Sequence, residues 1–441
     1  MSSIVRHELE TFIKTTQNIM MRIIRDRVAD AVRDRNYELS SMLEDFMSFI
    51  NTCTPSKFSY TAPSEYVDAL RSYALALSIT SEMINELGIT PEIIEVSKQI
   101  LNLPKVGLPV GKVAGDTKNI LMSLGDKGNK VFIDGCRKYI NVLIGKVKEL
   151  DPQELQIVKE TVLGLFTASS RPCMRISDLA RVLGTREKDL KGIIKKLVEK
   201  DPNMVLVGEL FAFKDLMKDY LEKRIGESSF LLINDLAKEW NVKRGVVLGI
   251  LSKISDIYPG LMVFEDRVAS TIRDLSHYIS RKLNELKVLT TKTLAMHIGV
   301  EPKVASNILK KISGHIPEVI MADTEIIAHG KLAMDWLREI FAERPKVFID
   351  EIAGKIGAST KNTKKLIEEL SRLYSGEVLL EKNEVIYTPN LGRGLMSEIK
   401  TGKRSREIEE VITKHPEAME AQVFENIYKI LKEFEERISR R

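Results

Sequence analysis

The stretch Ile349-Asp-Glu-Ile-Ala353 has three earlier counterparts in this chain, and the four together decide its fold. The counterparts are Ile176-Ser-Asp-Leu-Ala180, Ile233-Asn-Asp-Leu-Ala237 and Thr291-Lys-Thr-Leu-Ala295. The final alanines, Ala180, Ala237, Ala295 and Ala353, are 57, 58 and 58 residues apart. Such a regular period indicates one structural unit that occurs four times in tandem.

Each repeat predicts two helices separated by a tight turn. Four residues after the alanine stands Gly184, Asn241, Gly299 or Gly357, and these residue types tolerate a positive φ and end helices. Apolar residues recur 13 and 17 residues after the alanine, as Ile308 and Ile312 do in the third copy. A spacing of four keeps these side chains on one face of a second helix.

A short strand is predicted after each second helix. The strand-like runs are Met204–Val207, Leu261–Phe264, Val319–Ala322 and Val378–Leu380. The fourth continues through Lys382-Asn383 to Tyr387, which is the pattern of a β-hairpin. The order helix, turn, helix, hairpin resembles the winged helix, a helix-turn-helix variant with a hairpin "wing".

The predicted fold class is mainly α with small β-hairpins: an N-terminal helical domain followed by four tandem winged-helix repeats. Helical stretches between the repeats, such as Phe213–Arg224, predict modules in direct contact. The predicted domains are residues 1–150 (helical), 151–225, 226–284, 285–342 and 343–392 (winged helices 1 to 4), and 393–441 (basic linker and C-terminal helix).

Composition fits an intracellular globular chain with a mildly basic balance. Of 441 residues, 44% are hydrophobic and 29% are charged, and the net charge is +5. This balance permits nucleic-acid binding without requiring it. Three widely spaced cysteines and the absence of a signal-like or membrane-spanning run predict a cytoplasmic protein, nucleoid-associated if it binds DNA. Many Lys, Glu, Arg and Ile with few Gln residues favour a thermophilic source.

The first 150 residues show helical patterns and one tempting motif. Gly107-Leu-Pro-Val-Gly111-Lys112 is reminiscent of a phosphate loop, but only three residues separate the glycines and Val113 replaces the hydroxyl residue. We therefore exclude a P-loop ATPase and expect Lys105–Lys130 to form a loop region. The arginines of His7–Arg35 are interpreted as the solvated face of a bundle helix rather than a nucleic-acid surface.

No residue pattern predicts catalysis. The six histidines are scattered without metal-ligand spacing, and no serine or cysteine has a nucleophile motif. We expect a protein that is not an enzyme and that carries no metal and no cofactor.

The second helices are the candidate DNA readers, since a helix-turn-helix presents its second helix to the major groove. Arg, Lys, Asn, Ser and Thr suit phosphate and base contacts. Copies three and four are expected to hold the main site. The candidates after each turn are Thr185, Arg186, Lys188 and Lys191; Lys243 and Arg244; Lys303, Ser306, Asn307, Lys310 and Lys311; and Ser359, Thr360, Lys361, Asn362, Lys364 and Lys365.

Acidic residues argue for the alternative, a protein-interaction scaffold. Glu187 and Asp189 would repel phosphate, and the first three hairpin turns are acidic or neutral. Only the fourth hairpin turn carries a basic side chain that could contact DNA, Lys382. Double-stranded DNA is nevertheless the favoured partner.

The C-terminal region adds a basic segment and a helix pattern. Lys403 and Arg404 lie in a Gly-containing stretch that either tracks a phosphate backbone or is a plain linker. Ala418–Arg441 has an apolar stripe that predicts docking on the body, a protein partner or self-association. No membrane association is expected.

Three protein classes resemble this arrangement. One is the archaeal WhiP family of winged-helix replication initiators, which implies binding of origin DNA. A second is the scaffold-type ligase for the ubiquitin-fold modifier, and a third is the winged-helix subunits of RNA polymerase III. The resemblance rests on pattern and period, so it carries over no functional residues, and it leaves replication initiation, transcription regulation and scaffolding open.

Overall fold

The computed structural model describes residues 3–57, 60, 62–144, 150–323, 325–342, 346–374, 377–381 and 383–387. The described fold is mainly helical with small antiparallel sheets, as predicted. The chain divides into two compact units, Met1–Tyr220 with Trp240–Ile257, and Leu221–Glu239 with Tyr258–Arg441.

Unit 1 begins with a layer of helices. The helices are α1 (Ser3–Arg33), α2 (Tyr37–Thr52), α3 (Pro63–Leu87), α4 (Pro91–Asn102), α5 (Val110–Met122) and α6 (Gly125–Leu143), with 3-10 turns at Pro55–Lys57 and Pro104–Val106. Helix α3 is the central helix and buries most of its length, including Tyr73 and Leu77 at 0% exposure. Its neighbours α1, α5 and α6 pack their apolar faces around it.

Four modules follow, each built from a helix, a strand, two helices and a hairpin. Module 1 contains α7 (Pro152–Ser169), β1 (Cys173–Arg175), α8 (Ile176–Leu183), α9 (Glu187–Lys200), β2 (Met204–Val207) and β3 (Leu210–Phe213). Module 2 contains α10 (Lys214–Ser228), β4 (Leu231–Leu232), α11 (Ile233–Glu239), α12 (Arg244–Ile254), β5 (Leu261–Phe264) and β6 (Val268–Thr271).

The last two modules repeat the same order within unit 2. Module 3 contains α13 (Ile272–Leu286), β7 (Val288–Thr290), α14 (Thr291–Ile298), α15 (Pro302–Ile312), a 3-10 turn at Ser313–His315, β8 (Val319–Ala322) and β9 (Ile326–His329). Module 4 contains α16 (Gly330–Phe341), β10 (Lys346–Phe348), α17 (Ile349–Ile356), α18 (Thr360–Leu373), β11 (Val378–Glu381) and β12 (Glu384–Tyr387).

Every module has one three-stranded antiparallel sheet with the same strand order. The last strand of the module lies between the other two, as in β1-β3-β2 and β7-β9-β8. In module 1, Cys173 pairs with Ala212, and Val207 pairs with Leu210 across the hairpin. The hairpin therefore closes through the two-residue turn Gly208-Glu209.

The predicted turns and second-helix cores are confirmed. Gly184, Asn241, Gly299 and Gly357 all have positive φ between 51° and 78°. The residues that lie 17 positions after the repeat alanines are at most 4% exposed. They are Leu197, Ile254, Ile312 and Leu370. The interval between repeats thus reflects one packing arrangement used four times.

Two features differ from the sequence-based expectation. Lys105–Lys130 is not a loop region, because α5 and the start of α6 occupy most of it. The short strands β1, β4, β7 and β10 before the first helix of each pair were not predicted, since two or three residues give too little alternation to recognise a strand.

Candidate nucleic-acid interface

The second helix of each module has three distinct faces, which are described here by the number of residues after the repeat alanine. Residues at +10, +13, +14 and +17 form the core face, residues at +6, +9 and +12 form a second face, and residues at +8, +11 and +15 form an outer face. At about 100° per residue, these three sets are spread around the helix. The second face is called the hairpin face, because the preceding hairpin contacts it in modules 2, 3 and 4.

A junction is the contact between the hairpin of one module and the second helix of the next. The first junction, between the module 1 hairpin and α12, is apolar and very close. The turn of the module 1 hairpin contacts α12, where a Cβ on Gly208 would lie 3.4 Å from Val246 Cγ2. A Cβ on Gly249, at +12, would lie only 2.6 Å from Val207 Cγ1. A side chain at position 249 would therefore force Val207 of the hairpin to move.

The second junction is polar. Asn307 Nδ2, at +12 on α15, donates a hydrogen bond of 2.7 Å to Glu265 in the turn of the module 2 hairpin. Arg267 lies 3.1 Å from Glu301, at +6. The Lys311 ammonium stands 5.3 Å from the ring centroid of Phe264, which adds a cation–π contact.

The third junction is ionic. Lys365 Nζ, at +12 on α18, lies 2.6 Å from Asp323 in the turn of the module 3 hairpin. Glu325 of the same turn accepts hydrogen bonds from Ser359 Oγ, at 3.0 Å, and from Asn362 Nδ2. The hydrogen bond from Lys365 holds the pKa of Asp323 below its usual value. The acidic turn of module 3 thus provides a counter-charge for Lys365 of module 4.

Among the residues that the structure describes, no hairpin lies against the hairpin face of α9 in module 1. A Cβ on Gly192, at +12, would have no heavy atom of the described chain within 4 Å. Arg186, at +6, pairs with Asp189, at +9, at 2.6 Å, and 77% of the Arg186 side chain is exposed. This openness follows from the chain order, because no module hairpin precedes α9.

The outer face carries the basic side chains. Six lysines of this face are exposed: Lys188 and Lys195 on α9, Lys303 and Lys310 on α15, and Lys361 and Lys364 on α18. Lys191 on α9 is half-buried. The complete outer faces, at +8, +11 and +15, are Lys188, Lys191 and Lys195; Gly245, Leu248 and Ser252; Lys303, Ser306 and Lys310; and Lys361, Lys364 and Glu368. Three of the four modules therefore present two or three lysines on this face.

The candidate residues from the sequence separate into these faces. Lys303, Lys310, Lys361 and Lys364 lie on outer faces, and Asn307, Asn362 and Lys365 lie on hairpin faces, where acidic turns bind them. Thr360 donates to Asp350 of its own module at 2.7 Å. Lys243 is exposed and Arg244 is half-buried. The positions outside the described residues are Lys382, Lys403, Arg404 and the predicted C-terminal helix.

Sequence reasoning missed one prominent outer-face residue, Lys195. A helix-turn-helix pattern points to the N-terminal residues of each second helix, whereas Lys195 lies two turns into α9. Its signal was present in the sequence, because Lys188, Lys191 and Lys195 are spaced three and four residues apart. Module 1 therefore has the most basic outer face of the four.

A second candidate site is a cleft of about 840 Å³ in unit 1. Its walls include Tyr60, Arg71, Lys105, Gly107 and Asp151. Gly107 has a positive φ of 73° and ends the 3-10 turn before α5. The stretch that mimicked a phosphate loop thus lines a cleft of mixed charge.

A buried ionic cluster adjoins this cleft. Arg71 Nη1 donates to Asp151 Oδ2 at 2.6 Å, and Arg71 Nε stands 3.1 Å from Glu154 Oε1. Glu154 is 1% exposed, and burial raises its pKa to about 7 although Arg71 opposes the shift. Burial also raises the pKa of Tyr139, whose hydroxyl has no hydrogen-bond partner among the described residues. The cluster ties α3 to the N-terminus of α7.

Two further observations hold for the described ranges. No helix there is long and apolar enough to cross a membrane. In the same ranges, no group of three or more His, Cys, Asp or Glu side chains is placed to hold a metal ion.

No protein-family model matches the chain, and no curated protein matches it. Among solved structures, the chain is similar to a bacterial selenocysteine-specific elongation factor, with 11% sequence identity and a TM-score of 0.20. That match covers 55% of this chain and 41% of the other, and a TM-score this low supports no inference about fold or function.

Proposed function

We propose that the four modules are winged-helix domains and that the protein binds double-stranded DNA mainly through phosphate contacts. The observation that carries this proposal is the recurrence of exposed lysines on the outer faces of α9, α15 and α18. The uniform sheet order and the paired helices of each module are consistent with the winged-helix assignment.

Phosphate contact fits these faces better than base reading does. Lysine acts as a flexible point charge, and neutralising phosphates releases counterions irrespective of sequence. Base reading favours fixed Asn and Arg side chains, but Asn307 and Asn362 already bind the hairpin turns. The resemblance to replication initiators would add a preference for origin DNA, and comparing origin with unrelated duplexes tests that finer proposal.

The first prediction concerns the most basic outer face. A triple variant should bind a fluorescein-labelled duplex at least about tenfold more weakly than the unmodified protein does. Its substitutions are Lys188→Glu, Lys191→Glu and Lys195→Glu. Fluorescence anisotropy across a salt series should also give a log–log slope shallower by roughly two to three, because three phosphate contacts are lost.

The matched control changes equally exposed lysines of the N-terminal helices. Lys14 on α1 and Lys127 on α6 are exposed and lie far from the outer faces in sequence. Lys14→Glu with Lys127→Glu should leave most of the affinity intact. An unmodified protein that binds no duplex at low salt would exclude the proposed function.

The second candidate function is a protein-interaction scaffold. The open hairpin face of α9 favours it, because this type of face receives another protein segment in modules 2, 3 and 4. Two results together would favour this function over DNA binding. The protein would bind no duplex at low salt, and a pull-down would recover a stoichiometric protein partner.

A further inference from the structure

Chain segments that lie beside a helix decide whether that helix can enter the major groove of DNA. An α-helix with its side chains is about 10–12 Å across, and the groove is about 12 Å wide and about 8.5 Å deep. An inserted helix therefore fills the groove, and no second segment fits between its flank and the groove wall. The second helices of the four modules differ in what lies on this flank.

Three of these helices carry a hairpin on the flank. The preceding hairpin contacts position +12, which is Gly249 on α12, Asn307 on α15 and Lys365 on α18. At about 100° per residue, that position lies only about 40° to 60° around the helix axis from the outer-face positions +8 and +15. Helices α12, α15 and α18 thus have a second segment directly beside the face that would meet the bases.

Helix α9 has no such hairpin in the part of the chain that the structure describes. A Cβ added to Gly192, at +12, would meet no neighbouring heavy atom within 4 Å, and Gly192 is exposed. Residues 186–188, at the start of the helix, are exposed as well. The preceding turn does contact α6, since a Cβ on Gly184 would lie 3.1 Å from Asn141 Nδ2. That contact lies before the first turn of α9 and leaves the side chains of residues 186–188 exposed.

We propose that α9 is the second helix that enters the major groove, whereas α15 and α18 contact phosphates from outside it. The inference rests on the proposed DNA binding and assigns each helix its part of the duplex. Arg186 and Lys188 are then the side chains nearest the base edges, because the N-terminal residues of an inserted helix contact the bases. Any preference for particular sequences therefore originates in module 1.

The charges of α9 suit both base and phosphate contacts. Its outer face carries lysines at +8, +11 and +15, and lysine meets phosphate as a point charge. In the first turn, Asp189 is half-buried and pairs with Arg186 at 2.6 Å, so it holds that guanidinium at the start of the helix.

The first turn of α9 also matches the polar groups of one kind of base pair. Arginine and lysine, here Arg186 and Lys188, donate to O6 and N7 of guanine in the major groove. The exposed carboxylate of Glu187 is of the type that accepts a hydrogen bond from N4 of cytosine. The base contacts of α9 are therefore expected at G·C pairs.

A duplex with a filled major groove tests this assignment. Fluorescence anisotropy compares two labelled duplexes of one G·C-containing sequence, one plain and one in which glucosylated 5-hydroxymethylcytosine replaces cytosine. The glucose units project from C5 into the major groove and leave the phosphates unchanged. The unmodified protein should bind the filled duplex at least about fivefold more weakly, because α9 can no longer enter and its base contacts are lost.

Paired substitutions identify the helix that enters the groove. The α9 variant is Lys188→Glu with Lys195→Glu, and its matched control on α15 is Lys303→Glu with Lys310→Glu. Each variant replaces two exposed lysines at the same repeat positions, +8 and +15. Both should bind the plain duplex more weakly, because phosphate contacts are lost. In the α9 variant alone, the affinities for the plain and filled duplexes should become equal.

The outcomes separate this inference from the proposed function. If the unmodified protein binds both duplexes equally well, no second helix enters the groove and the inference is wrong, although DNA binding stands. A preference for the plain duplex that the α9 variant keeps, or that the α15 variant loses, would also overturn the inference. If neither duplex is bound at low salt, the proposed DNA binding is excluded and the inference fails with it.

Discussion

At the residue scale, the two glycines at +12 show how much depends on what lies beside a helix. Gly192 and Gly249 occupy the same repeat position, but only Gly249 contacts a hairpin. A Cβ added to Gly249 would lie 2.6 Å from Val207 Cγ1. Sequence alone identifies both as helix-weakening glycines and cannot distinguish them. The difference comes from a contact between modules, which no local pattern encodes.

Alanine at these two glycines should have opposite effects on stability. Gly192→Ala should raise the free energy of unfolding by up to about 1 kcal/mol, because alanine favours the helix and meets no atom. Gly249→Ala should lower it by roughly 1–3 kcal/mol, because its methyl overlaps Val207. Urea unfolding followed by circular dichroism compares the two variants. Equal stabilisation of both would contradict the close junction.

Glu154 predicts a pH dependence of stability with a definite sign. Its pKa is about 7 in the folded protein and close to 4.5 when unfolded, so the folded state binds the proton more tightly. The corresponding stability is present below pH 4.5 and is lost as pH rises through 7. Its size is at most roughly 3 kcal/mol.

The variant Glu154→Gln isolates this titration. It removes the ionisable group and keeps an oxygen that can accept the Asp151 amide hydrogen bond seen at 3.0 Å. The stability of the unmodified protein relative to the variant should therefore fall between pH 4.5 and 7. A constant difference across that range would show that Glu154 titrates normally.

At the element scale, the hairpins account for the acidic turns that seemed to oppose DNA binding. Asp323 pairs with Lys365 of the next module, and Glu325 accepts hydrogen bonds from Ser359 and Asn362, so both carboxylates have partners within the chain. The first hairpin strand and the helix ends of each module were predictable, because apolar runs and positive-φ residues are local signals. The partners of Asn307 and Asn362 were not, because they depend on how one module packs against the next.

Neutralising the module 3 turn should strengthen DNA binding. Asp323→Asn with Glu325→Gln releases Lys365 and removes two negative charges from this turn. Lys365 chiefly, and Lys361 to a smaller extent, lower the pKa of the Asp323 carboxyl, so both lysines feel its charge. At physiological salt, charges within about 8 Å still act on each other. The affinity for duplex should rise roughly three- to tenfold, or about 1 kcal/mol.

A charge-matched variant on α1 provides the control for this change. Asp26 and Asp34 are exposed on or beside that helix, and Asp26→Asn with Asp34→Asn alters the net charge equally. If both variants bind DNA equally well, the effect is one of net charge alone. If the turn variant binds more weakly than the unmodified protein, the junction is needed to position α18.

At the scale of the whole molecule, the repeat explains architecture, and the differences among copies direct the search for function. The core face is the same in all four second helices, whereas the hairpin face changes chemistry and the outer face changes charge. Module 2 differs most, since Gly245, Leu248 and Ser252 replace the lysines found in the other modules. Its outer face separates two basic regions along the sequence.

Lysines placed on module 2 would show whether the outer faces act together. Gly245 and Ser252 are exposed, so Gly245→Lys with Ser252→Lys adds two charges without disturbing the core. If a bound duplex contacts successive modules, each lysine adds a phosphate contact, so affinity should rise and the salt dependence should steepen by about two. Anisotropy titrations at several salt concentrations measure both quantities. An unchanged slope, in a protein that still loses affinity when the α9 lysines are replaced, would mean that module 2 lies outside the DNA-binding surface.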